Sequence, residues 1–367
     1  MKLRETIDTL DRLAPPRLAE SWDNVGLLVG DEGAEVANIS LCVDVTAAVL
    51  DEAVEQGVDL IVAHHPMIFK PLAQVTSERC PLIYRALKKG VAIYAMHTNF
   101  DAAPGGTNDA MAEALGLSNV DSLLPTRQDG QCKIVVFTPA DDVDAVAGAA
   151  FEAGAGRIGT YDCCSFHSPG TGTFRGGEGS DPTIGEVGRV ESVQEQRLEL
   201  IAPLGIAPRV CSAIRTAHSY QTPAIDVYPI GEYPEGFGHG RIGILPGATD
   251  PAGVIRTIKK KFQAEHVRVA FARGHQQQDV RTVAVAAGSG KSVLSAAARA
   301  GAQIFVTGEL GHHDALDAAE AGITCVCLEH ARCEQLGMRR LTDRLVDLLP
   351  DLDIRYSLAD AEPFEVV

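Results

Sequence analysis

The chain lacks any apolar run that approaches the roughly 18 uninterrupted residues of a membrane-spanning helix, which argues against an integral membrane protein. It also lacks an excess of basic residues, since 32 Lys and Arg against 49 Asp and Glu give a formal net charge of -17. Phosphate backbones are held by clustered Lys and Arg. The charge therefore argues against a nucleic-acid partner, but not against a single nucleotide held by local groups or by metal.

Disulfide and zinc-finger patterns are absent as well. Nine cysteines, an odd number, are scattered through the chain, and Cys325 and Cys327 lie inside an apolar run. No CxxC pair has a partner at zinc-site spacing. The first residues place acids such as Glu5 and Asp8 where a signal peptide needs an apolar core. We therefore expect free thiols in a reducing compartment, the cytoplasm.

The 367 residues are sufficient for two domains, and 46% hydrophobic and 22% charged residues are typical of a soluble globular protein. Helix and strand patterns alternate at both ends of the chain. The order predicts an α/β fold: a core in two parts, residues 1–126 and 237–367, with an inserted ferredoxin-like α+β domain at residues 127–236.

The inserted segment has the β-α-β-β-α-β order of a split ferredoxin-like fold. The pattern predicts, in chain order, a strand at 133–137, a helix at 143–153, a strand at 157–164, a glycine-rich loop at 169–188, a strand at 197–201, a helix at 207–217 and a strand at 225–228. Residues 231–240 are interpreted as a linker back to the core.

Four apolar runs of the core end in histidine or acid. Those at 58–63 and 91–96 lead into His64 and His97, and those at 303–308 and 323–328 lead into Glu309 and His330. Short continuous apolar runs are typical of parallel strands that are buried on both faces. Ligands of such sheets collect beyond the carboxyl ends of the strands. We therefore expect both parts of the core to deliver side chains to one crevice.

The mixture of imidazoles and carboxylates at these strand ends predicts a metal centre. His64 and His65 are neighbours, and Pro66 suggests that the strand ends there, so that both can serve two ions lying side by side. His330 and Glu334 have the i, i+4 spacing of neighbours on a helix. A carboxylate has two oxygens, and Glu334 is therefore the natural bridge of a metal pair about 3.5–4 Å apart.

Two further side chains near these strand ends are candidates. Asp101 can ligate one ion, whereas His97 is a candidate outer ligand or hydrogen-bond partner. The competing interpretation is that each histidine simply caps its strand. The joint occurrence of His64, His65, Asp101 and the His330–Glu334 pair at four strand ends favours metal.

Residues 308–314 predict the start of a helix, whose free N–H groups and positive dipole end attract anions. In one interpretation this segment faces the substrate. In the other, His312 and His313 are merely solvated and Asp314 caps the helix.

Two other motifs each have two possible interpretations. Residues 288–292 fail the phosphate-loop pattern, because Val285 stands where that loop requires glycine, and a plain strand-to-helix turn is favoured. Trp22, the single tryptophan, is interpreted as a core anchor, with Asp23 or Asn24 facing the crevice as the alternative.

These motifs together resemble the dinuclear-metal-centre family known as GTP cyclohydrolase 1 type 2, or Nif-three-like, proteins, over the whole chain. The resemblance rests on Trp22-Asp23-Asn24-Val25-Gly26-Leu27, His64-His65-Pro66, Phe69-Lys70-Pro71-Leu72, residues 97–106, Thr307-Gly308-Glu309 with His312-His313-Asp314-Ala315, and His330 with Glu334. The chain departs from the family at Glu329, where bacterial members commonly have glycine, and at residues 218–223.

The resemblance implies a ligand set and an assembly. His65 and Asp101 would hold one ion, His64 and His330 the other, and Glu334 would bridge them. The insertion would be of the PII or CutA type. Members form toroidal homohexamers whose metal sites face an internal cavity, and such assembly would be symmetric.

The function expected from the resemblance is hydrolysis of a nucleotide or phosphoester by a metal-bound hydroxide, with two divalent ions (zinc, iron or manganese) per chain. In the family's reaction the electrophile would be the purine C8 of GTP. His97, Glu309 and His313 are candidate catalytic residues because they can carry protons. The alternative is a metal-handling or regulatory scaffold without turnover.

Overall fold

The computed structural model describes residues 1–125, 131–230, 236–274 and 279–364. Contacts divide the chain into two compact units, Met1–Thr126 with Pro234–Val367, and Arg127–Tyr233. The sequence placed the insertion at 127–236. The described part of the chain contains no helix of the length and apolarity that a bilayer crossing needs.

The helices and strands, numbered in chain order, are as follows. In residues 1–125 they are α1 (Leu3–Leu13), β1 (Gly26–Val29), β2 (Asn38–Cys42), α2 (Ala47–Glu55), β3 (Leu60–Ala63), α3 (Pro81–Lys89), β4 (Ala92–Ala95), α4 (Thr98–Ala102), α5 (Thr107–Ala114) and β5 (Ser118–Pro125). In residues 131–230 they are β6 (Gln131–Thr138), α6 (Val143–Glu152), β7 (Ser165–Arg175), β8 (Val190–Pro203), α7 (Ala207–Ala217) and β9 (Ile225–Pro229). In the remainder they are β10 (Gly238–Thr249), α8 (Pro251–Lys261), β11 (Arg268–Ala270), β12 (Val280–Ser289), α9 (Lys291–Arg299), β13 (Ile304–Glu309), α10 (His312–Glu320), β14 (Thr324–Cys327), α11 (His330–Leu348) and β15 (Asp353–Tyr356).

A five-stranded sheet in the order β1-β4-β3-β2-β15 forms the first lobe of the core. Strands β2, β3, β4 and β15 are parallel, and β1 joins the edge antiparallel to β4. All four residues of β3 and all four of β4 are buried, because helices cover both faces of a parallel sheet. The strands predicted before His64 and His97 are confirmed, and both histidines follow strands that end at the same sheet edge.

A six-stranded sheet in the order β11-β14-β13-β12-β10-β5 forms the second lobe. Its centre, β12-β13-β14, is parallel, with Thr307 of β13 opposite Cys327 of β14. The strands predicted before Glu309 and His330 are confirmed. Their carboxyl ends also share one edge, so the second lobe repeats the arrangement of the first.

Helix α11 belongs to the hydrophobic cores of both lobes. Met338, Leu341 and Leu345 pack in the core of the first lobe, whereas Cys333 packs in that of the second. Gly337 lets α11 approach α5 closely, since a Cβ there would lie 2.6 Å from the side chain of Thr107. The first turn of α11, which carries His330 and Glu334, is thereby fixed against both lobes.

The insertion forms a four-stranded antiparallel sheet in the order β7-β8-β6-β9. Helices α6 and α7 pack on it around a core that includes Ile134, Val146, Leu198 and Ile214. This connectivity is the predicted split β-α-β order of a ferredoxin-like domain. The likeness to PII or CutA proteins stays a prediction.

Two predictions within the insertion are wrong. Residues 157–164 form a turn with one isolated bridge, Ile158 to Tyr161, and the strand is β7, which starts at Ser165. The predicted loop at 169–188 accordingly begins only after Arg175. Pro169 and the glycines of β7 concealed the strand, and an edge strand such as β7 is where proline is tolerated. Of the predicted linker, 231–235 lie outside the described residues, and Gly238 already starts β10.

Candidate metal centre

The two lobes meet through histidines that lie far apart in sequence. The ring centroids of His65, beyond β3, and His330, at the start of α11, are 5.3 Å apart. The ring of His64 lies 5.3 Å from those of both His65 and His97. The predicted crevice between the two parts of the core is therefore present, and it is lined by four imidazoles.

Glu334 lies at the centre of this cluster and is only 2% exposed. Its Oε1 is 3.1 Å from His330 Nε2 and 3.7 Å from His64 Nε2, and its Oε2 is 3.2 Å from His65 Nε2. Burial alone would raise the pKa of Glu334, but the adjacent His64, His330 and His65 hold that pKa well below its usual range. Glu334 is thus a buried carboxylate anion that faces three imidazole nitrogens.

Each of the four imidazoles has its Nδ1 atom beside an oxygen acceptor. These pairs are His64 with the Met96 carbonyl at 2.7 Å, His65 with Asp44 at 2.9 Å, His97 with Asp23 at 2.8 Å, and His330 with Glu309 at 3.3 Å. In the neutral ring, an oxygen acceptor at Nδ1 fixes the proton there and leaves the Nε2 lone pair available for a metal. This is the pattern that orients metal-bound histidines.

The protonation preferences of the imidazoles differ with their surroundings. Burial lowers the pKa of His64, which favours the neutral ring that a metal requires. Burial would also lower the pKa of His65, but Asp44 and Glu334 raise it to about 10. The hydrogen bond to Glu334 raises the pKa of His330 to about 9. Positive charge is thus favoured beside Glu334, where a cation would lie.

Nε2 of the fully buried His64 has no hydrogen-bond partner among the described residues, and Oε2 of Glu334 has only its ion pair with His65. Native proteins rarely leave such atoms unpaired. Two groups of three residues could each hold a metal ion, because the ligand atoms within each group lie within 4.8 Å of one another. The first group is His64, His65 and His97, and the second is His65, His330 and Glu334. These residues fit metal ions.

Asp101 lies at the margin of the cluster, with its Oδ1 3.6 Å from His64 Nε2. The side chain of Thr107 donates a hydrogen bond to this carboxylate, and Asn108 Nδ2 donates to the Asp101 carbonyl at 2.9 Å. The distances pair Asp101 with His64, whereas the resemblance paired it with His65. The division of ligands between two ions stays a prediction.

The predicted proton carriers differ in position. His97 lies within the cluster, and Glu309 contacts His330 Nδ1. His313 is exposed in the first turn of α10, with its ring 5.3 Å from that of His312. Among the described residues it makes no hydrogen bond or ion pair with the cluster. The structure therefore brings His97 and Glu309 to the site but not His313.

Two residues, Gly288 near the end of β12 and Asp44 just after β2, were missed as parts of the site. A Cβ on Gly288 would lie 2.5 Å from Glu334 Oε1 and 3.2 Å from His330 Nε2, and this glycine has a φ of +56°. The sequence predicted a plain strand-to-helix turn at residues 288–292, but not the closeness of Gly288 to Glu334 and His330. Asp44, which follows β2, could have been found because β2 ends at the same sheet edge as β3.

In the motif of Trp22, Asp23 and Asn24, the structure supports the alternative interpretation and not the favoured one. Asp23 does face the crevice, where it accepts hydrogen bonds from His97 and Thr98, whereas Asn24 donates to the Ile68 carbonyl. Burial would raise the pKa of Asp23, but these hydrogen bonds lower it to about 2. Trp22 is 55% exposed, so its interpretation as a core anchor is wrong. The carboxylate of Glu329 pairs with Arg332 at 2.6 Å.

Known proteins resemble this chain in sequence over nearly its full length. A Halalkalibacterium halodurans protein named "GTP cyclohydrolase 1 type 2 homolog" is 37% identical over 367 residues, covering 98% of both chains. A Bacillus subtilis protein of the same name is 36% identical and covers 98% of this chain and 97% of its own.

Solved structures are similar over the same extent. A Staphylococcus aureus protein superposes with a TM-score of 0.84 at 29% identity, covering 100% of this chain and 99% of that one. A Bacillus cereus "protein related to NIF3" superposes with a TM-score of 0.73 at 36% identity and the same coverage. The sequence model of Duf34/NIF3 (NGG1p interacting factor 3) matches residues 1–363. The predicted resemblance is thereby confirmed, and the chain belongs to the DUF34/NIF3 family.

Proposed function

We propose that the protein is a dinuclear-metal-dependent hydrolase that acts on a nucleotide or a phosphoester. The observation that carries the proposal is the convergence of three imidazole Nε2 atoms on the buried carboxylate of Glu334, within 3.1 to 3.7 Å. A cluster of this kind concentrates nitrogen and oxygen donors that suit zinc, iron or manganese.

The residues proposed to hold the two divalent ions are His64, His65, Asp101, His330 and Glu334. When bound, such a pair of ions activates water at neutral pH and polarises the electrophile. Asp44 and Glu309 hold the rings of His65 and His330 in place through Nδ1. The protein's own contribution is therefore a set of preoriented ligands, which need little rearrangement when ions bind.

Proton transfer is proposed for side chains at the edge of the cluster. His97 is held at Nδ1 by Asp23, which leaves Nε2 free to exchange a proton with a bound reactant. Glu309 is half exposed beside His330 and is a second candidate. His313 stays a third candidate because it is titratable, although the structure does not bring it to the cluster.

The substrate proposal draws on the relatives. Two of them carry the name "GTP cyclohydrolase 1 type 2 homolog", and by analogy the electrophile is the purine C8 of GTP. A phosphate ester suits two metal ions equally well.

An oligomeric state and a cellular location are also proposed. A symmetric homohexamer is proposed from the family resemblance. A cytoplasmic location is supported by nine free cysteines, six of which are buried, since reduced thiols persist in that compartment.

Metal analysis of anaerobically purified protein, followed by turnover assays with each candidate ion restored, tests the proposal. We expect two ions per chain and metal-dependent hydrolysis of GTP or another member of a nucleotide and phosphoester panel. His97→Ala should retain the ions and lose turnover. Two bound ions with no turnover of any panel member would instead identify a metal-handling or regulatory scaffold.

A further inference from the structure

Two exposed aromatic rings border the metal centre. The ring centroids of Trp22 and Phe69 are 5.8 Å apart with an interplanar angle of 50°, and Trp22 lies 6.1 Å from the ring of His97 in an edge-on contact. Trp22 is 55% exposed and Phe69 is 49% exposed. A large apolar surface therefore remains in water beside the donor cluster, where packing of the core does not explain it.

The backbone that carries these rings is fixed in place. Asp23 accepts hydrogen bonds from His97 Nδ1 at 2.8 Å and from the Thr98 backbone N–H at 3.1 Å. Asn24 Nδ2 donates to the carbonyl of Ile68, the neighbour of Phe69, at 2.5 Å. Hydrogen bonds thus connect the turn that carries Trp22 to His97 and Thr98, which follow β4, and to Ile68, which precedes Phe69. An exposed ring on a fixed backbone loses little conformational entropy when a ligand binds.

We propose that Trp22 and Phe69 form an aromatic platform that binds the planar heteroaromatic ring of the substrate and presents it to the metal centre; this deepens the proposed function and rests on it. The edge-on contact with His97, itself part of the donor cluster, places Trp22 directly beside that cluster. A heteroaromatic ring stacked on Trp22 can therefore reach the histidine side of the site.

The chemistry of the platform selects for ring systems. Every nucleobase has a π-face that stacks on an aromatic side chain, and offset or tilted pairs are favoured at centroid distances of about 4.5–7 Å. Sugars and phosphates without a base lack that face. A ring-bearing nucleotide should consequently bind through these residues, whereas its sugar phosphate should not.

Intrinsic fluorescence tests the platform directly, because Trp22 is the only tryptophan in the chain. We would titrate the full-length protein with GMP and, as the matched probe without a base, ribose 5-phosphate, each with metal restored and after removal of metal. GMP should quench Trp22 emission saturably, and ribose 5-phosphate should leave it unchanged. Equal responses to both probes, or no response to GMP in either metal state, would overturn the proposal.

Substitutions separate the platform from the metal site. By equilibrium dialysis, Trp22→Leu and Phe69→Leu should each weaken GMP binding by roughly 5- to 150-fold, with unchanged metal content. Trp22→Phe should restore much of the affinity. Phe271→Leu is the matched control, because Phe271 is 52% exposed and adjoins the end of β14 that is remote from His330.

The two proposals fail in different ways. Base-dependent quenching in the parent and weakened GMP binding by dialysis in Trp22→Leu, without hydrolysis of any panel member, would uphold the platform and reject the hydrolase. Turnover of a nucleotide with an unaltered KM in Trp22→Leu and Phe69→Leu would reject the platform and uphold the hydrolase. If both hold, these variants should raise KM far more than they change kcat.

Discussion

Asp44 Oδ1 accepts a hydrogen bond of 2.9 Å from Nδ1 of His65. The two residues follow adjacent parallel strands, β2 and β3, and the bond turns His65 Nε2 toward Glu334. Asp44 is itself half exposed, and it belongs to neither of the two metal-donor groups found among the described residues. Its role is therefore to orient and charge-balance the ring that it holds.

Replacing Asp44 with Asn should weaken metal binding by roughly 10- to 100-fold, since outer partners of ligating histidines have effects of this size. Competition with a chelating indicator would measure the affinity. Asp8→Asn, on the exposed face of α1, is the control and should bind metal as the parent does. An unaltered affinity in Asp44→Asn would show that His65 needs no such support.

Glu334→Gln should remove both ions, because it replaces the carboxylate that faces three imidazoles with a neutral amide. His97→Ala should mostly retain them. Elemental analysis of the purified variants, with circular dichroism to verify folding, would measure this. Two ions per chain in folded Glu334→Gln would disprove the bridging role.

Gly288→Ala should lower metal occupancy because the new methyl group would press on Glu334 and His330. Gly301→Ala is the matched control: Gly301 also has a positive φ, +79°, but a Cβ there meets nothing within 4 Å. Both variants should lose about 1–2 kcal/mol of stability from backbone strain. Only Gly288→Ala should lose metal, and equal occupancy in the two would contradict the predicted contact.

Metal binding at pH 7 should release protons, because the pKa values of about 10 for His65 and about 9 for His330 keep both rings protonated without metal. Metal affinity should accordingly rise with pH until about pH 9 to 10. Calorimetry in buffers of different ionisation enthalpy would count the protons. Binding enthalpies that do not depend on the buffer would contradict this assignment.

The same raised pKa values determine how the metal-free fold responds to pH. A raised folded-state pKa contributes stability that is fully present below the unfolded value, about 6.5 for histidine, and is lost as pH rises through the folded value. The metal-free protein should therefore lose stability between about pH 6.5 and 10. Thermal unfolding of chelator-treated protein would measure it, with His65→Gln expected to flatten the dependence.

The strands that deliver the cluster were predictable because β3, β4, β13 and β14 are continuous apolar runs that end in histidine or acid. Strand β1 was not, since it contains Gly26 and only one fully buried residue. Strand β5 was missed because five of its eight residues are exposed and polar residues interrupt it. Edge strands carry too little apolar signal for a sequence pattern to register.

The ligand-bearing positions were predictable from residue type, but their partners were not. Asp44 and Gly288 act on the site through contacts with residues 21 and 46 positions away, and such contacts exist only after the sheets have formed. The exposure of Trp22 likewise depends on how its turn is tied to Thr98 and Ile68. A local pattern specifies which groups are available, whereas tertiary contacts decide which way they face.

Helix α11 contributes side chains to both hydrophobic cores and begins at the donor cluster. A fluctuation that parts the two lobes must therefore pull Glu334 away from His64 and His65. Ions bound there would oppose that opening from both sides at once. Amide hydrogen exchange in β3 and in β14 should consequently slow together when metal is added, although the two strands belong to different sheets.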